Sequence, residues 1–397
     1  MEIGYLRPSK LVDMKLLAKT MHGLEGVLAE ELKAIGAQNV QPGRRSVSFE
    51  GDKEVLYKAN YHCRTALRIL MPILEFEARH EDILYRNVVR FNWREYLSLE
   101  KTFAIDAVVF SDYFNHSKFL ALRTKDAIAD HFRRKTGERP NVDTERPDVR
   151  LNLHVSGSRC TLSLDSSGDS LHKREYRELG HRAPINEVLA AGMLLLSGWE
   201  PGTPLVDPMC GSGTIALEAA MMVCNMAPGH FRSTYGFTGW NDFDFRLWQR
   251  IKNEAREQVK EVLTPSIVAA DASPKNVNQA RKSAINAGLS GAIAFERSDF
   301  LKLQPSGEAG TLVMNPPYGE RLNEGEAEAL YESMGNHLKN AWSGWDAWMI
   351  SSNKAALKRV GLRASEKHTL FNGSLECKYQ KYELYRGSRK VKADSVS

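Results

Sequence analysis

The sequence contains few cysteines, and no pattern that would join them into a metal site or a disulfide framework. Five are spread over 397 residues, and none belongs to a Cys-x-x-Cys pair. Their odd number also fits reduced, structural thiols, as expected in a reducing compartment. We therefore expect no bound metal. The five positions are Cys63, Cys160, Cys210, Cys224 and Cys377.

Long apolar segments are also absent. No run is long enough to cross a bilayer, and the first twenty residues include four cations but no apolar stretch of the kind found in a secretory signal. Hydrophobic residues nevertheless make up 42% of the chain, too large a share for a disordered protein. We expect a soluble, cytoplasmic protein of two or three domains.

The net charge of +5 permits a nucleic-acid partner without establishing one. Local clustering is more informative, because seven cations lie between Lys118 and Arg139 and only three acids oppose them. A helix predicted over residues 117–135 would present many of them near its end, which suits phosphate contacts. A solvated helix face explains the same pattern equally well. The candidate phosphate-binding residues are Lys125, Arg133, Arg134, Lys135 and Arg139.

Hydrophobic periodicity divides the chain into two α+β units and a longer α/β unit. The first two units span residues 1 to about 64 and about 65 to 170, and polar residues 171–182 predict a linker. After Pro184 helices and strands alternate, which predicts a doubly wound domain with a mainly parallel sheet. Residues 387–397 are predicted to be a frayed tail. In the first two units we predict strands at 16–20, 45–50, 102–110, 149–155 and 160–165, and helices at 23–35 and 117–135.

The segment from Leu205 to Thr214 predicts a strand that enters a glycine turn at the carboxyl edge of the sheet, where ligands bind in such folds. The turn lacks the third glycine of the dinucleotide motif and the Gly-Lys-Ser/Thr of a phosphate loop. Instead, Asp207 places a carboxylate at the strand end. That charge would repel a pyrophosphate and can bind the ammonium group of a methionine-type cofactor.

Two further acids follow apolar strands in the same way. Asp271 is placed to accept hydrogen bonds from ribose hydroxyls, and Asp299 is placed to accept one from an adenine amine. Each acid alone is also a common helix cap, and Ser273 with Pro274 predicts a cap directly after Asp271. Three such acids in order favour one binding crevice. The predicted cofactor-binding residues are Asp207, Pro208, Cys210, Gly211, Gly213, Thr214, Asp271, Ala272, Asp299, Phe300 and Asn315.

The most specific motif is Asn315, Pro316, Pro317 and Tyr318, which we predict to be catalytic. Prolines lack N–H groups and hold the backbone extended, so the Asn315 side-chain oxygen and the Pro316 carbonyl can both accept from one amine. Tyr318 can stack on the base that carries this amine. Two acceptors stabilise the positive charge that develops on nitrogen during attack. The motif thus predicts transfer to an exocyclic amine.

Methylation at a pyrimidine carbon requires a cysteine nucleophile to activate the ring. Pro317 occupies the position where such a cysteine would be expected, and no Pro-Cys pair follows the strand. Carbon-5 methylation is therefore disfavoured.

These motifs are similar to those of class I S-adenosylmethionine (SAM)-dependent methyltransferases that act on amino groups. Residues 139–143 and 147–151 resemble the THUMP domain, an RNA-binding module, and residues 164–177 fit its exit and linker. Residues 207–214 and 315–322 resemble the ribosomal RNA large-subunit methyltransferase L group. The resemblance covers about residues 15–385.

The resemblance implies a ferredoxin-like domain at 1–64, a THUMP domain at 65–172 and a Rossmann-like methyltransferase domain at 173–390. It adds Asn141 to the candidate RNA-binding residues. It implies SAM as cofactor and a guanine N2 amine of 23S ribosomal RNA, free or in a pre-50S particle, as substrate. In some bacteria this module is fused to a second methyltransferase, and because this chain ends without one a single activity is expected.

Four alternatives stay open. The Asn-Pro-Pro-Tyr motif serves adenine N6 as well as guanine N2, so a nucleic-acid adenine methyltransferase or a guanine-N2 enzyme acting on tRNA would carry it. A non-catalytic ribosome-assembly factor could retain the fold, although intact Asp207, Asp271, Asp299 and Asn315 argue against it. A nicotinamide dehydrogenase is disfavoured by the missing third glycine.

Overall fold

The computed structural model describes residues 13–176, 185–317 and 324–385. Two compact units make up the chain. The first contains the described residues up to Glu175 together with Ala227–Glu257, and the second contains Tyr176–Met226 and the described residues from Gln258 onwards. No helix in these described ranges is long and apolar enough to cross a membrane.

The first unit is built on one seven-stranded sheet in the order β2-β3-β1-β4-β7-β6-β5. Neighbouring strands are antiparallel except β5 and β6, which pair in parallel. The elements are β1 (Met14–Lys19), α1 (Glu25–Ala34), β2 (Gln38–Gly43), β3 (Ser46–Gly51), α2 (Lys53–His62), β4 (Arg68–Glu77), α3 (Glu81–Arg90), β5 (Phe103–Phe110), α4 (Ser117–Thr136), β6 (Val149–Ser156) and β7 (Arg159–Asp165).

Local sequence accounts for several of these boundaries. The Asp52 carboxylate accepts a hydrogen bond from the Val55 N–H and caps α2. Gly137 adopts a left-handed conformation, with φ of 81°, and ends α4. Along β6, alternate side chains are buried, as its period-two pattern predicts.

The strands predicted at 16–20, 45–50, 102–110, 149–155 and 160–165 and the helices at 23–35 and 117–135 are confirmed to within about two residues. Strand β4 escaped prediction because Ile69 to Leu74 is apolar almost throughout and shows no period-two alternation. Pro72 within it also argues against a strand, and the pairing of β4 with β7 shifts register between Pro72 and Leu74.

The segment Ala227–Glu257 packs against the rest of the first unit through aromatic rings. Phe237 stacks on Tyr57 with ring centroids 4.3 Å apart, and Trp248 meets Phe237 edge-on at 5.0 Å. The buried Arg232 guanidinium donates to the backbone carbonyls of Ser167 at 3.0 Å and Ser170 at 2.9 Å. Burial and hydrogen bonding thus fix this segment against residues that lie more than sixty positions earlier in the chain.

The second unit contains a seven-stranded sheet in the order β10-β9-β8-β11-β12-β14-β13. Its elements, with the first-unit helix α7 kept in chain order, are α5 (Glu187–Leu196), β8 (Leu205–Asp207), α6 (Thr214–Val223), α7 (Phe245–Glu257), β9 (Ile267–Asp271), α8 (Pro274–Asn286), β10 (Ile293–Arg297), β11 (Gly310–Met314), α9 (Glu324–Ala341), β12 (Trp345–Ser351), α10 (Lys354–Arg359), β13 (Glu366–Asn372) and β14 (Leu375–Glu383).

Five strands of this sheet are parallel, and β14 and β13 add an antiparallel edge. The predicted doubly wound α/β fold with a mainly parallel sheet is therefore confirmed. Strand order reverses at β8, because β9 lies on one side of it and β11 on the other. Ligands bind at the carboxyl ends of strands beside such a reversal. Buried Trp342, Trp345 and Met349 form part of the core on this sheet.

The predicted division of the chain at residues 64 and 172 stays a prediction. The predicted tail lies outside the described residues, as does much of the predicted linker.

Candidate active site

The turn between β8 and α6 depends on two glycines with positive φ. Gly213, at φ of 81°, lies so close to α8 that a Cβ added to it would stand 2.7 Å from the Ala280 Cβ. Gly211, at φ of 54°, faces open space, since an added Cβ would meet nothing within 4 Å. Gly213 lets α8 approach the turn, and Gly211 leaves room for a ligand beside the backbone.

A cavity of ≈ 380 Å³ opens at this turn and at the ends of the neighbouring strands. Its size is within the range of small-molecule sites. It is lined by Ile185, Pro208, Met209, Cys210, Gly211, Ser212, Thr214, Asp271, Ala272, Asn276, Asp299, Phe300, Asn315, Pro317 and Leu330.

Asp271 ends β9 and organises this edge of the site. One carboxylate oxygen, Oδ2, accepts from the Gly211 N–H at 3.0 Å. The other, Oδ1, accepts from the Ser273 N–H at 2.8 Å and from Asn276 Nδ2 at 3.1 Å. These bonds fix the carboxylate between the glycine turn and the start of α8. Ser273 caps α8 and Pro274 begins it, as predicted.

Asp299 follows β10 by two residues. Its Oδ1 accepts from the Leu301 N–H at 3.0 Å, so it caps a short 3-10 helix over Phe300–Lys302 while it lines the cavity. The adjacent Phe300 ring is buried and meets the His337 ring edge-on at 5.0 Å. Asp299 is therefore both a helix cap and a residue of the cavity wall.

Asp207 ends β8 and is completely buried. Neither of its carboxylate oxygens forms a hydrogen bond of regular geometry with any residue in the described ranges. Burial is the main cause that raises the pKa of Asp207 to about 8; hydrogen bonds from the Met209 and Ala216 N–H groups oppose this shift, and the charge of Asp271 adds to it. Asp207 is therefore costly to ionise in the free protein.

Asn315 follows β11 directly and lines the cavity together with Pro317. Its side-chain oxygen Oδ1 is buried and meets no hydrogen-bond partner within the described part of the chain. A buried amide oxygen without a donor costs about 1–3 kcal/mol. Such an atom at a cavity wall is an acceptor available to a ligand. Pro316 is buried beside it, and Tyr318 lies outside the described residues.

Nine of the eleven predicted cofactor-binding residues line the cavity, and Asp207 and Gly213 are not among its lining residues. Sequence reasoning missed five lining residues: Ile185, Met209, Ser212, Asn276 and Leu330. A signal for Asn276 existed, because it lies in the first turn of a helix that begins just after Asp271. Ile185 and Leu330 reach the site through tertiary packing and carry no local signal.

The candidate RNA-binding residues lie on α4 and just after it. Lys125 pairs with Asp126 and Arg133 with Asp130, in each case at 2.8 Å. Arg134 is exposed and donates weakly to the Tyr85 hydroxyl at 3.4 Å. The other candidates, Lys135, Arg139 and Asn141, are all exposed. Within the described ranges, no group of three or more His, Cys, Asp or Glu residues could hold a metal ion.

Three family models match consecutive stretches of the chain. They are the RlmL ferredoxin-like domain over residues 15–70, the THUMP domain over 78–165 and the RMKL-like methyltransferase domain over 174–381. The last one alone covers more than half of the chain. The chain belongs to the RMKL-like methyltransferase family. The resemblance inferred from the sequence, and with it the predicted fold class, is thereby confirmed.

Individual relatives agree with this family membership. The RMKL-like chain is 43% identical over 382 residues to the ribosomal RNA large subunit methyltransferase K/L of Syntrophotalea carbinolica, covering 94% of this chain and 54% of that protein. It thus spans about half the length of that relative. A Synechocystis sp. protein provisionally named an RNA methyltransferase is 39% identical, over 93% of this chain and 96% of its own length.

A solved structure is similar over almost the whole RMKL-like chain. The protein SMU.472, crystallised with S-adenosylhomocysteine (SAH), superposes with a TM-score of 0.85 and 29% sequence identity. The match covers 95% of this chain and 100% of that one.

Proposed function

We propose that the protein transfers a methyl group from SAM to the exocyclic N2 amine of a guanine in 23S ribosomal RNA. The observation that carries this proposal is the buried, unpartnered side-chain oxygen of Asn315 at the wall of the cavity. An acceptor in this position matches an amine donor, and the preceding strand and following prolines fix where it points.

The cavity residues fit SAM as the methyl donor. Asp271 has carboxylate oxygens with remaining acceptor capacity beside the glycine turn, which suits ribose hydroxyls. The Phe300 ring offers an apolar wall, and the buried carboxyl group of Asp207 directly precedes Pro208, which lines the cavity. When bound, SAM supplies an electrophilic methyl carbon on a sulfonium sulfur.

Asn315 would accept a hydrogen bond from the substrate amine and orient it. An exocyclic amine is a poor nucleophile because its lone pair is delocalised into the ring. A hydrogen bond to Asn315 Oδ1 would draw the nitrogen towards tetrahedral geometry and stabilise the positive charge it acquires as the C–N bond forms and the methyl–sulfur bond breaks, which leaves neutral SAH. The methylated amine would then release its extra proton to solvent water. Pro317 lines the same cavity.

The choice of RNA, and of guanine over adenine, rests on relatives rather than on the cavity. The THUMP match, the name of the Syntrophotalea carbinolica relative and the resemblance of residues 315–322 support a large-subunit ribosomal RNA substrate. A paired guanine amine is inaccessible, so the base must be unpaired or flipped into the cavity. The tRNA and adenine alternatives share the same amine chemistry.

The product identifies the substrate atom. Purified protein would be incubated with ribosomal RNA and SAM carrying a deuterated methyl group, and the RNA digested to nucleosides for mass spectrometry. We expect the label in N2-methylguanosine. Label in N6-methyladenosine or 5-methylcytidine alone would refute the proposal. Failure to bind SAM by calorimetry would favour a non-catalytic assembly factor.

Asn315→Ala separates chemistry from binding. We expect turnover to fall about 100-fold or more, because the lost hydrogen bond strengthens as charge develops on nitrogen. RNA and SAM affinities should stay within about twofold, as expected for an interaction made mainly in the transition state. Equal losses in affinity and turnover would instead place Asn315 in ground-state binding.

A further inference from the structure

Two aromatic side chains are unusually exposed where β5 ends in the first unit. Phe110 is 67% exposed and Tyr113 is 51% exposed. Exposed aromatic rings on a folded domain lose the free energy that burial would supply, so such a pair marks an interaction surface.

Backbone contacts bring these rings to the turn between β6 and β7. The Gly157 N–H donates to the Phe110 carbonyl at 2.8 Å, and the Ser111 hydroxyl donates to the Gly157 carbonyl at 2.6 Å. The Ala78 N–H donates to the Ser158 carbonyl at 2.8 Å, which brings Arg79 to the same place. The surface is thus built from three chain segments held by regular hydrogen bonds.

One cation lies beside a ring, and a second follows the turn between β6 and β7. The Arg79 guanidinium is 5.6 Å from the centre of the Tyr113 ring, and Arg159 begins β7 at the edge of the turn. Neither forms an ion pair with a residue in the described ranges, whereas Arg133 on α4 pairs with Asp130. Glu77 lies opposite Arg159 in the β4–β7 register, but no ion pair joins the two side chains, so the Arg159 guanidinium can still contact a phosphate.

A third ring extends the surface. The His154 ring lies 6.0 Å from the Phe110 ring on the adjacent strand β6. Partial burial lowers the pKa of His154, with a further contribution from the Lys19 charge. A neutral imidazole adds a flat face for stacking.

We propose that these five residues, Arg79, Phe110, Tyr113, His154 and Arg159, form an aromatic surface that binds an unpaired stretch of RNA. Bases stack on the rings, and the two guanidinium groups contact phosphates. The proposal rests on the proposed function, whose substrate is RNA. A protein partner is less suited to this surface, because its apolar contact would desolvate two unpaired guanidinium groups.

The test measures binding of a fluorescein-labelled single-stranded RNA of mixed sequence by anisotropy. Phe110→Ala and Tyr113→Ala should each weaken affinity roughly five- to a hundredfold, as for loss of one stacked base. Arg79→Gln and Arg159→Gln should each lower the slope of log affinity against log salt by about 0.7 per lost phosphate contact. A matched duplex should lose less affinity than the single strand in the Phe110 variant.

Phe245→Ala is the matched control, because Phe245 is similarly exposed at 62% in the same unit and lies outside the aromatic surface. Its RNA affinity should equal that of the wild type. A photocrosslink from 5-iodouridine in the RNA should map to the peptide containing residues 110–113.

Equal affinity of the wild type and both aromatic variants would overturn the proposal. So would a wild-type dimer that Phe110→Ala converts to monomer, since the surface would then join two copies of the chain. Binding is measured without methyl transfer. A wild type that binds through this surface but methylates no RNA would refute the proposed function alone.

Discussion

Replacing Asp207 by Asn should stabilise the free protein and weaken its cofactor binding. The pKa of Asp207 is raised from 3.8 to about 8 by burial, so the folded protein holds a proton that the unfolded chain releases. Stability contributed by this group is complete below about pH 4 and falls as pH rises towards 8. At pH 7 the loss is on the order of 4 kcal/mol, from about 1.4 kcal/mol per pKa unit.

Asn is neutral at every pH and matches protonated Asp in size. The melting temperatures of the two proteins should therefore be similar near pH 4–5 and should separate as pH rises, with the variant higher by several degrees at pH 8. Thermal denaturation followed by circular dichroism across this range is the measurement. A difference in melting temperature between the two proteins that stays constant from pH 5 to 8 would show that Asp207 ionises without cost, and it would refute the reasoning.

The same carboxylate predicts a proton linkage to the cofactor. If Asp207 pairs with the ammonium group of SAM, it must ionise on binding and release close to one proton per SAM at pH 7, given a folded pKa of about 8. Calorimetry in buffers of different ionisation enthalpy measures this number directly. The Asp207→Asn variant has no carboxyl proton to release at this position, and its SAM affinity should drop roughly 10- to 100-fold. Equal proton release by the wild type and the variant would exclude the pairing.

Three further changes test other parts of the molecule. Asp271→Ala should weaken SAM binding about tenfold or more by calorimetry, because it removes the acceptor fixed by Gly211 and Asn276. Gly213→Ala should destabilise the fold by roughly 1–3 kcal/mol in urea, since the new methyl group would meet Ala280 at positive φ. Gly211→Ala, without that clash, should lose less stability. Replacing Arg134 and Lys135 by Gln should lower RNA affinity and flatten its salt dependence; an unchanged salt slope would leave these two cations as a solvated helix face.

Sequence reasoning predicted the site residues that have a local sequence pattern. Asp271 and Asn315 each follow an apolar strand, and carboxyl ends of parallel strands share one edge of the sheet, so their convergence was predictable. Asn276 lies in the first turn of the helix after Asp271, which is a local signal, but its bond to Asp271 is seen only in the structure. The burial of Asp207 depends on side chains from distant segments, and no local pattern reports it.

Sequence reasoning reached the candidate RNA-binding cations of α4, which stay a prediction, but not the aromatic surface proposed above. The predicted cations of α4 are visible as a run, but their pairing with Asp126 and Asp130 is not. Phe110 looked like an ordinary strand residue, because a period-two pattern cannot tell which face of a strand remains uncovered. Its exposure follows from sheet position, which is a tertiary property.

Because Ala227–Glu257 belongs to the first unit, the two units cannot be separated by a single cut in the gene. The polypeptide passes from one unit to the other after Glu175, after Met226 and after Glu257. A gene fragment that ends at Glu175 would leave Tyr57 without the rings of Phe237 and Trp248 that cover it. Recombination at a single junction would therefore yield a first unit whose core lacks the aromatic rings of Ala227–Glu257. The two units are expected to be inherited together, and the first to be recovered alone only when the later segment is grafted back onto it.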